Sequence, residues 1–198
     1  VVSTSKKGNP ELTRVDGVGP EPGHILLSPD ETTLYVANRE GDSVSVVRTD
    51  DLSLAATIPV GHAPFAIALS HDGQRLFVGN VQEGTVTVID TAKLAAVETW
   101  KTGAMPYGAA VTPDGSKVLV THQSAGTLGV FDGTEKPLAK IKVGSYPEGV
   151  AIGGDGARAY VANWFSDDVS VVDLETMTEL HRIKSGAGTR AVAVRNAP

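Results

Sequence analysis

The sequence predicts an all-β chain, a β-propeller of four-stranded antiparallel blades. Three observations predict it. A motif restarts at Pro22, Pro64, Pro106 and Pro147, at spacings of 42, 42 and 41 residues. Each repeat holds four short strand signals. No segment of helical length shows 3.6-residue periodicity, and four strands in about 42 residues is the size of a propeller blade.

The first strand of each unit is the apolar run after the proline, as in Pro64-Phe65-Ala66-Ile67-Ala68-Leu69. A hairpin follows, carrying Asp72-Gly73, Asp114-Gly115 and Asp155-Gly156 in the last three units. Glycine there supplies the positive φ that a tight turn needs. The second strand is Leu34-Tyr35-Val36-Ala37 or its equivalent, closed by Asn38, Asn80, His122 or Asn163. The third alternates and is β-branched, as in Ser43-Val44-Ser45-Val46-Val47 and Thr85-Val86-Thr87-Val88-Ile89. The fourth ends on an apolar residue and a glycine, as in Val60-Gly61 and Val143-Gly144. A fifth start is expected at Gly188, which puts Arg190 in the position of His24.

These Leu-Tyr-Val-Ala-Asn and Ser-Val-Ser-Val-Val segments resemble the YVTN-type propeller repeat family, and the resemblance covers essentially the whole chain. It implies a seven-bladed ring and an exported bacterial or archaeal setting, periplasmic or at the cell surface. Counted here, the blades span about 22–63, 64–105, 106–146 and 147–187. Residues 1–21 read as the last two strands of an earlier blade, and 188–198 as one innermost strand. Two arrangements meet this count: a five-bladed ring closed by a mixed terminal blade, or a piece of a larger ring. The missing strand and the start at Val1 favour the second.

Lys plus Arg number 17 and Asp plus Glu 23, a formal charge of −6. That argues against broad electrostatic binding to nucleic acid or anionic membrane. The absence of cysteine removes disulfides, thiolate nucleophiles and Cys-ligated metal. No apolar run is long enough to span a bilayer. No Gly-rich phosphate loop, His-Glu-x-x-His, EF-hand loop or Gly-x-Ser-x-Gly elbow occurs.

With four copies in hand, recurrence marks scaffold and departure marks candidates. Asn38, Asn80 and Asn163 read as structural, and Asp90, Asp132 and Asp173 as turn caps; Arg48 breaks the latter pattern. His122 replaces the recurring Asn and is read as a rim residue. His24 and Arg190 stand where other blades carry Ala66, Gly108 and Gly149, a pair suited to an anion or carboxylate. His62 and Arg39 lie in loops of the same face. Phe65, Tyr107, Tyr146, Trp164 and Phe165 put aromatic area in those loops, which suits a ligand or protein partner but also packing between blades. Trp100 occupies a position held elsewhere by Ile58, Ile141 and Ile183 and is expected in the core.

The resulting expectation is a binding or scaffold module for a protein or small ligand, working through its loop face, with no cofactor, no metal and no assigned catalytic residue. The alternative is a periplasmic enzyme or redox-associated propeller, because lactonase-like enzymes and cofactor-bearing propellers are among the relatives the resemblance implies. In that case His24, His62, His122 and Arg190 form the functional set at the channel mouth. Nucleic-acid binding, known among similar propellers, is opposed by the charge.

Overall fold

A computed structural model describes Val2–Ser3, Glu11–Leu12 and residues 14–103 and 105–194. The expected strand at 188–198 and the expected strands before Pro22 therefore fall partly outside the described residues.

Four antiparallel four-stranded sheets make up the fold. The first is β3 (Pro22–Leu27), β4 (Thr33–Asn38), β5 (Ser43–Arg48) and β6 (Leu54–Pro59). The second is β7 (Pro64–Leu69), β8 (Arg75–Asn80), β9 (Thr85–Asp90) and β10 (Ala95–Lys101). The third is β11 (Pro106–Val111), β12 (Val118–His122), β13 (Thr127–Phe131) and β14 (Pro137–Lys142), with a 3-10 turn at Gln123–Ala125. The fourth is β15 (Pro147–Ile152), β16 (Arg158–Asn163), β17 (Asp168–Asp173) and β18 (Thr178–Lys184). Strand order follows chain order in each, and the first strands β7, β11 and β15 lie side by side across neighbouring sheets. A separate pair, β1 (Val2–Ser3) with β2 (Glu11–Leu12), is antiparallel.

The second strands are apolar on consecutive residues because both faces of each sheet are covered. Leu76 and Val78 of β8 pack against Tyr35, Val44 and Ile58 of the first blade. Phe77, between them in sequence, packs against Trp100, Val118 and Phe131 toward the third. The core is thus a series of layers between blades, and each buried side chain contributes about 1.5–3 kcal/mol. Trp100 is core, 1% exposed and packed between the tilted rings of Phe77 and Phe131. Ile183 shares its position but is 49% exposed. Ile25, the counterpart of the buried Ile67, is 59% exposed. Among the described residues, nothing covers these two outer flanks as one blade covers the next.

The recurring polar residues are fasteners. Asn38, Asn80 and Asn163 are fully buried. Each donates Nδ2–H sideways to the third strand: to Ser43 and Ser45, to Thr85 and Thr87, and to Asp168 and Ser170. Their work is within the blade, where the sequence placed it in the turn. Asp90, Asp132 and Asp173 accept turn N–H groups two or three residues on. Where Arg48 takes that position, Asp51 does the capping, accepting from Ser53 N–H.

Residues 189–194 have no ladder partner among the described residues, and the rest of the strand expected at 188–198 lies outside them. The segment instead leans on β15, where Gly149 N–H donates to Arg190 O at 2.9 Å.

Candidate inner-cavity site

Every first strand begins with an irregularity. The residue before the proline has positive φ at Glu21, Ala63, Met105 and Tyr146. The register with the second strand then shifts between Pro22 and Ile25, Pro64 and Ala66, Pro106 and Gly108, and Pro147 and Val150. A bulge of this kind re-aims side chains out of the regular pleat. Here it offers the residue after the proline to the space between the inner strands.

Gly188 also has positive φ. Its N–H donates to Asp167 Oδ1, as Ala63 N–H donates to Asp42 Oδ1 in the first blade. The fifth start is therefore Thr189, one residue later than the glycine suggested by sequence. This corrects the position of Arg190: it corresponds to Glu148, Tyr107, Phe65 and Gly23, and not to His24. Gly misled the alignment because it met a need for positive φ that the other blades meet with Glu, Ala, Met and Tyr. The position of His24 is small elsewhere for a packing reason. A Cβ on Gly108 would collide with Glu148 O, so the next inner strand leaves no room.

His24, Phe65, Tyr107 and Arg190 nevertheless share one cavity of about 380 Å³, closed by Glu148 and by backbone around Gly149 and Ala191. One wall is aromatic: Phe65 and Tyr107 have ring centroids 4.4 Å apart, and His24 stands 6.1 Å from Phe65. The other wall is charged. Glu148 is 4% exposed, accepts from Gln123 Nε2 at 2.8 Å and faces Arg190 Nε at 3.8 Å. Arg190 stacks on the indole of Trp164, with Cζ 3.7 Å from the ring centre. Its guanidinium makes no hydrogen bond among the described residues.

Burial lowers the pKa of His24, so the imidazole is neutral near pH 7. Burial raises the pKa of Glu148, while Arg190 and the Gln123 amide work in the opposite direction.

Trp164, Phe165 and Tyr146 form a second group behind Arg190. Centroids are 4.6 Å apart for Trp164–Phe165 and 4.3 Å for Tyr146–Phe165, and Tyr146 meets Trp164 edge-on. Phe165 is 58% exposed. Trp164 thus packs against its rim neighbours Tyr146 and Phe165 and against the Arg190 guanidinium.

Three candidates lie elsewhere. Arg39 and His62 line a hollow of about 550 Å³ on the loop face, where His62 Nδ1 is 2.8 Å from Asp42 Oδ2. His122 is not a rim residue. It is 2% exposed, and its pKa falls to about 4 through burial and the nearby Lys140. His24, His62 and His122 therefore form no common set. Among the described residues no three His, Asp or Glu side chains gather as a metal ion would require.

Glu148 and Gln123 escaped the sequence reading. The signal for Glu148 was present: it is the carboxylate in a series that otherwise runs Gly23, Phe65, Tyr107 and Arg190 once the register is set.

The described geometry has counterparts among known proteins. The family described as Lactonase, 7-bladed beta-propeller, matches residues 4–93. That stretch holds His24, Arg39, His62 and Phe65 and stops short of the other candidates. No curated protein matches the chain. A solved structure titled Kuenenia stuttgartiensis hydrazine synthase is similar at TM-score 0.80 and 27% identity, over 91% of this chain and 54% of that one. A structure of U3-55K is similar at TM-score 0.78 and 12% identity, over 88% of this chain and 55% of that one, a likeness of fold alone. The chain spans about half the length of each.

Proposed function

We propose that this propeller binds a small organic anion with an apolar or aromatic body in the cavity between its inner strands. One observation carries the reading. The Arg190 guanidinium carbon sits 3.7 Å from the centre of the Trp164 ring, Arg190 lines the cavity, and beyond the approach of Nε to Glu148 at 3.8 Å its donors have no partner among the described residues. A guanidinium so held presents its planar fork of donors to a carboxylate. Phe65 and Tyr107 on the facing wall suit the apolar body, and the volume is that of a small-ligand pocket. The exported setting implied by the repeat resemblance belongs to the same proposal.

Titration calorimetry with benzoate and with its neutral analogue benzamide tests the reading. Benzoate is expected to bind and benzamide to bind more weakly. Arg190→Gln should weaken benzoate about 10–100-fold, the worth of a charged hydrogen bond. Equal affinity for both probes, or none for either, overturns it.

A second reading is favoured by the lactonase-family match over residues 4–93, which includes His24. In it the cavity accepts a lactone and opens the ring. His24, kept neutral by burial, takes the proton of the attacking water. The hydroxyl–carbonyl bond forms, the ring C–O bond breaks, and the alkoxide takes the proton back from His24. Release of acid from an aliphatic γ-lactone, lost in His24→Gln, separates this reading from simple binding.

A further inference from the structure

The residue directly after each second strand is Arg39, Val81, Gln123 or Trp164. Its N–H donates to the carbonyl before the proline in all four blades: to Glu21, Ala63, Met105 and Tyr146, at 2.9–3.0 Å. This hydrogen bond recurs in all four blades, and the side chain differs from blade to blade. In the last two blades that side chain reaches forward to the next cavity residue. Gln123 donates to Glu148, and Trp164 carries Arg190.

We propose that Gln123 and Trp164 are positioning residues, and that the charge arrangement of Glu148 and of Arg190 is set in each case by the blade before it. This deepens the reading of the inner cavity as an anion site and rests on it. Neither side chain is needed to touch the ligand. Gln123 spends an amide N–H on Oε1 of Glu148, which leaves Oε2 turned toward Arg190. Trp164 supplies a flat surface that holds the guanidinium within 3.8 Å of that oxygen, without taking any of its N–H donors. An arginine held by stacking keeps all five donors for a ligand, whereas one held by carbonyls would have spent them.

The groups facing Glu148 are Gln123 and Arg190, with His24 and Tyr107 in the same cavity. Arg190 and the Gln123 amide both favour its charged form, against burial, which opposes it. The carboxyl titration of Glu148 is thus a readout of both contacts that needs no ligand.

The experiment follows the Glu148 side-chain carboxyl by ¹³C NMR against pH in the full chain. Gln123→Leu is expected to move its midpoint up directly. Trp164→Ala is expected to move it up through a freed Arg190, and Trp164→Phe, which keeps a ring face, to restore much of the wild-type value. The deciding comparison is the cycle with Arg190→Gln: once the guanidinium is gone, Trp164→Ala should shift Glu148 no further. An unchanged midpoint in Trp164→Ala, or the same shift with and without Arg190, overturns the positioning role. The buried Trp100 indole resonance reports whether each variant is folded. Because no probe anion is added, failure of benzoate to bind would defeat the anion reading and leave this result standing.

Discussion

His122 makes stability depend on pH in a way that one substitution pair removes. The ring is 2% exposed, Nε2 has no hydrogen-bond partner among the described residues, and Nδ1 lies 3.4 Å from Thr127 Oγ1. Burial and Lys140 lower its pKa from 6.5 to about 4. In the unfolded chain the imidazole binds a proton near pH 6.5, and in the folded chain only near pH 4. Between those values the unfolded state holds more protons, so stability falls as pH falls. The stabilising difference is fully present above about pH 6.5 and is lost as pH drops toward about 4. At about 1.4 kcal/mol per pH unit this amounts to about 3 kcal/mol, a large part of the 5–15 kcal/mol typical of a domain. Replacing His122 with Asn and Gly129 with Ser recreates the fastener of the other blades and removes the titration. Urea unfolding at several pH values from about 7.5 to about 4 measures both proteins. The wild-type chain should lose about 3 kcal/mol more than the double variant. His24, also lowered by burial, acts in the same direction in both and cancels. Parallel stability curves would refute the assignment of a neutral, buried His122.

Three further outcomes can be measured by thermal or urea unfolding. Asn80→Ala removes two buried hydrogen bonds, to Thr85 and Thr87, each 2.9 Å, and should cost about 2–3 kcal/mol; a loss under about 0.5 kcal/mol would deny the fastener role. Glu31 has φ 60° where Gly73, Gly115 and Gly156 stand in the other hairpins, so Glu31→Gly should stabilise by about 1 kcal/mol, and destabilisation would contradict that strain. Gly129→Ser alone places a Cβ 2.7 Å from His122 Cε1 and should cost about 1–3 kcal/mol; a cost that persists when His122→Asn is added would show that the two positions are not coupled.

The architecture was legible because it repeats. A 42-residue period, Asp-Gly hairpins and alternating third strands are local signals, and four copies correct one another. Site geometry was less legible because it joins residues from different blades. The inner series Gly23, Phe65, Tyr107, Glu148 and Arg190 can be aligned only when the positive-φ residue before each first strand is known. No residue type marks that residue, which is Glu, Ala, Met, Tyr or Gly in turn. A one-residue error there moved Arg190 away from its true counterparts. His122 was misplaced for a related reason. A departure from a recurring polar residue looks like a surface feature until the recurring residue is known to be buried.

The departures in the third blade have a common physical origin. Where other blades read Ala37-Asn38-Arg39, Gly79-Asn80-Val81 and Ala162-Asn163-Trp164, the third reads Thr121-His122-Gln123. Thr121 Oγ1 donates to Glu148 O at 2.8 Å and accepts from Gly108 N–H at 2.7 Å, tying the backbone of two inner strands together. Gln123 binds the Glu148 carboxylate. The outer two of three consecutive departures thus meet at one buried acid, fixing its main chain and its side chain separately. His122 between them points the other way, into the blade, and fills the space opened by Gly129. A carboxylate that is 4% exposed and 3.8 Å from its cation is costly to hold without such support. Scaffold needs alone do not call for an acid here, since Phe65 and Tyr107 occupy the same position in two blades. The concentration of changes around Glu148 therefore argues that this acid, with Arg190, is what the third and fourth blades are modified to carry.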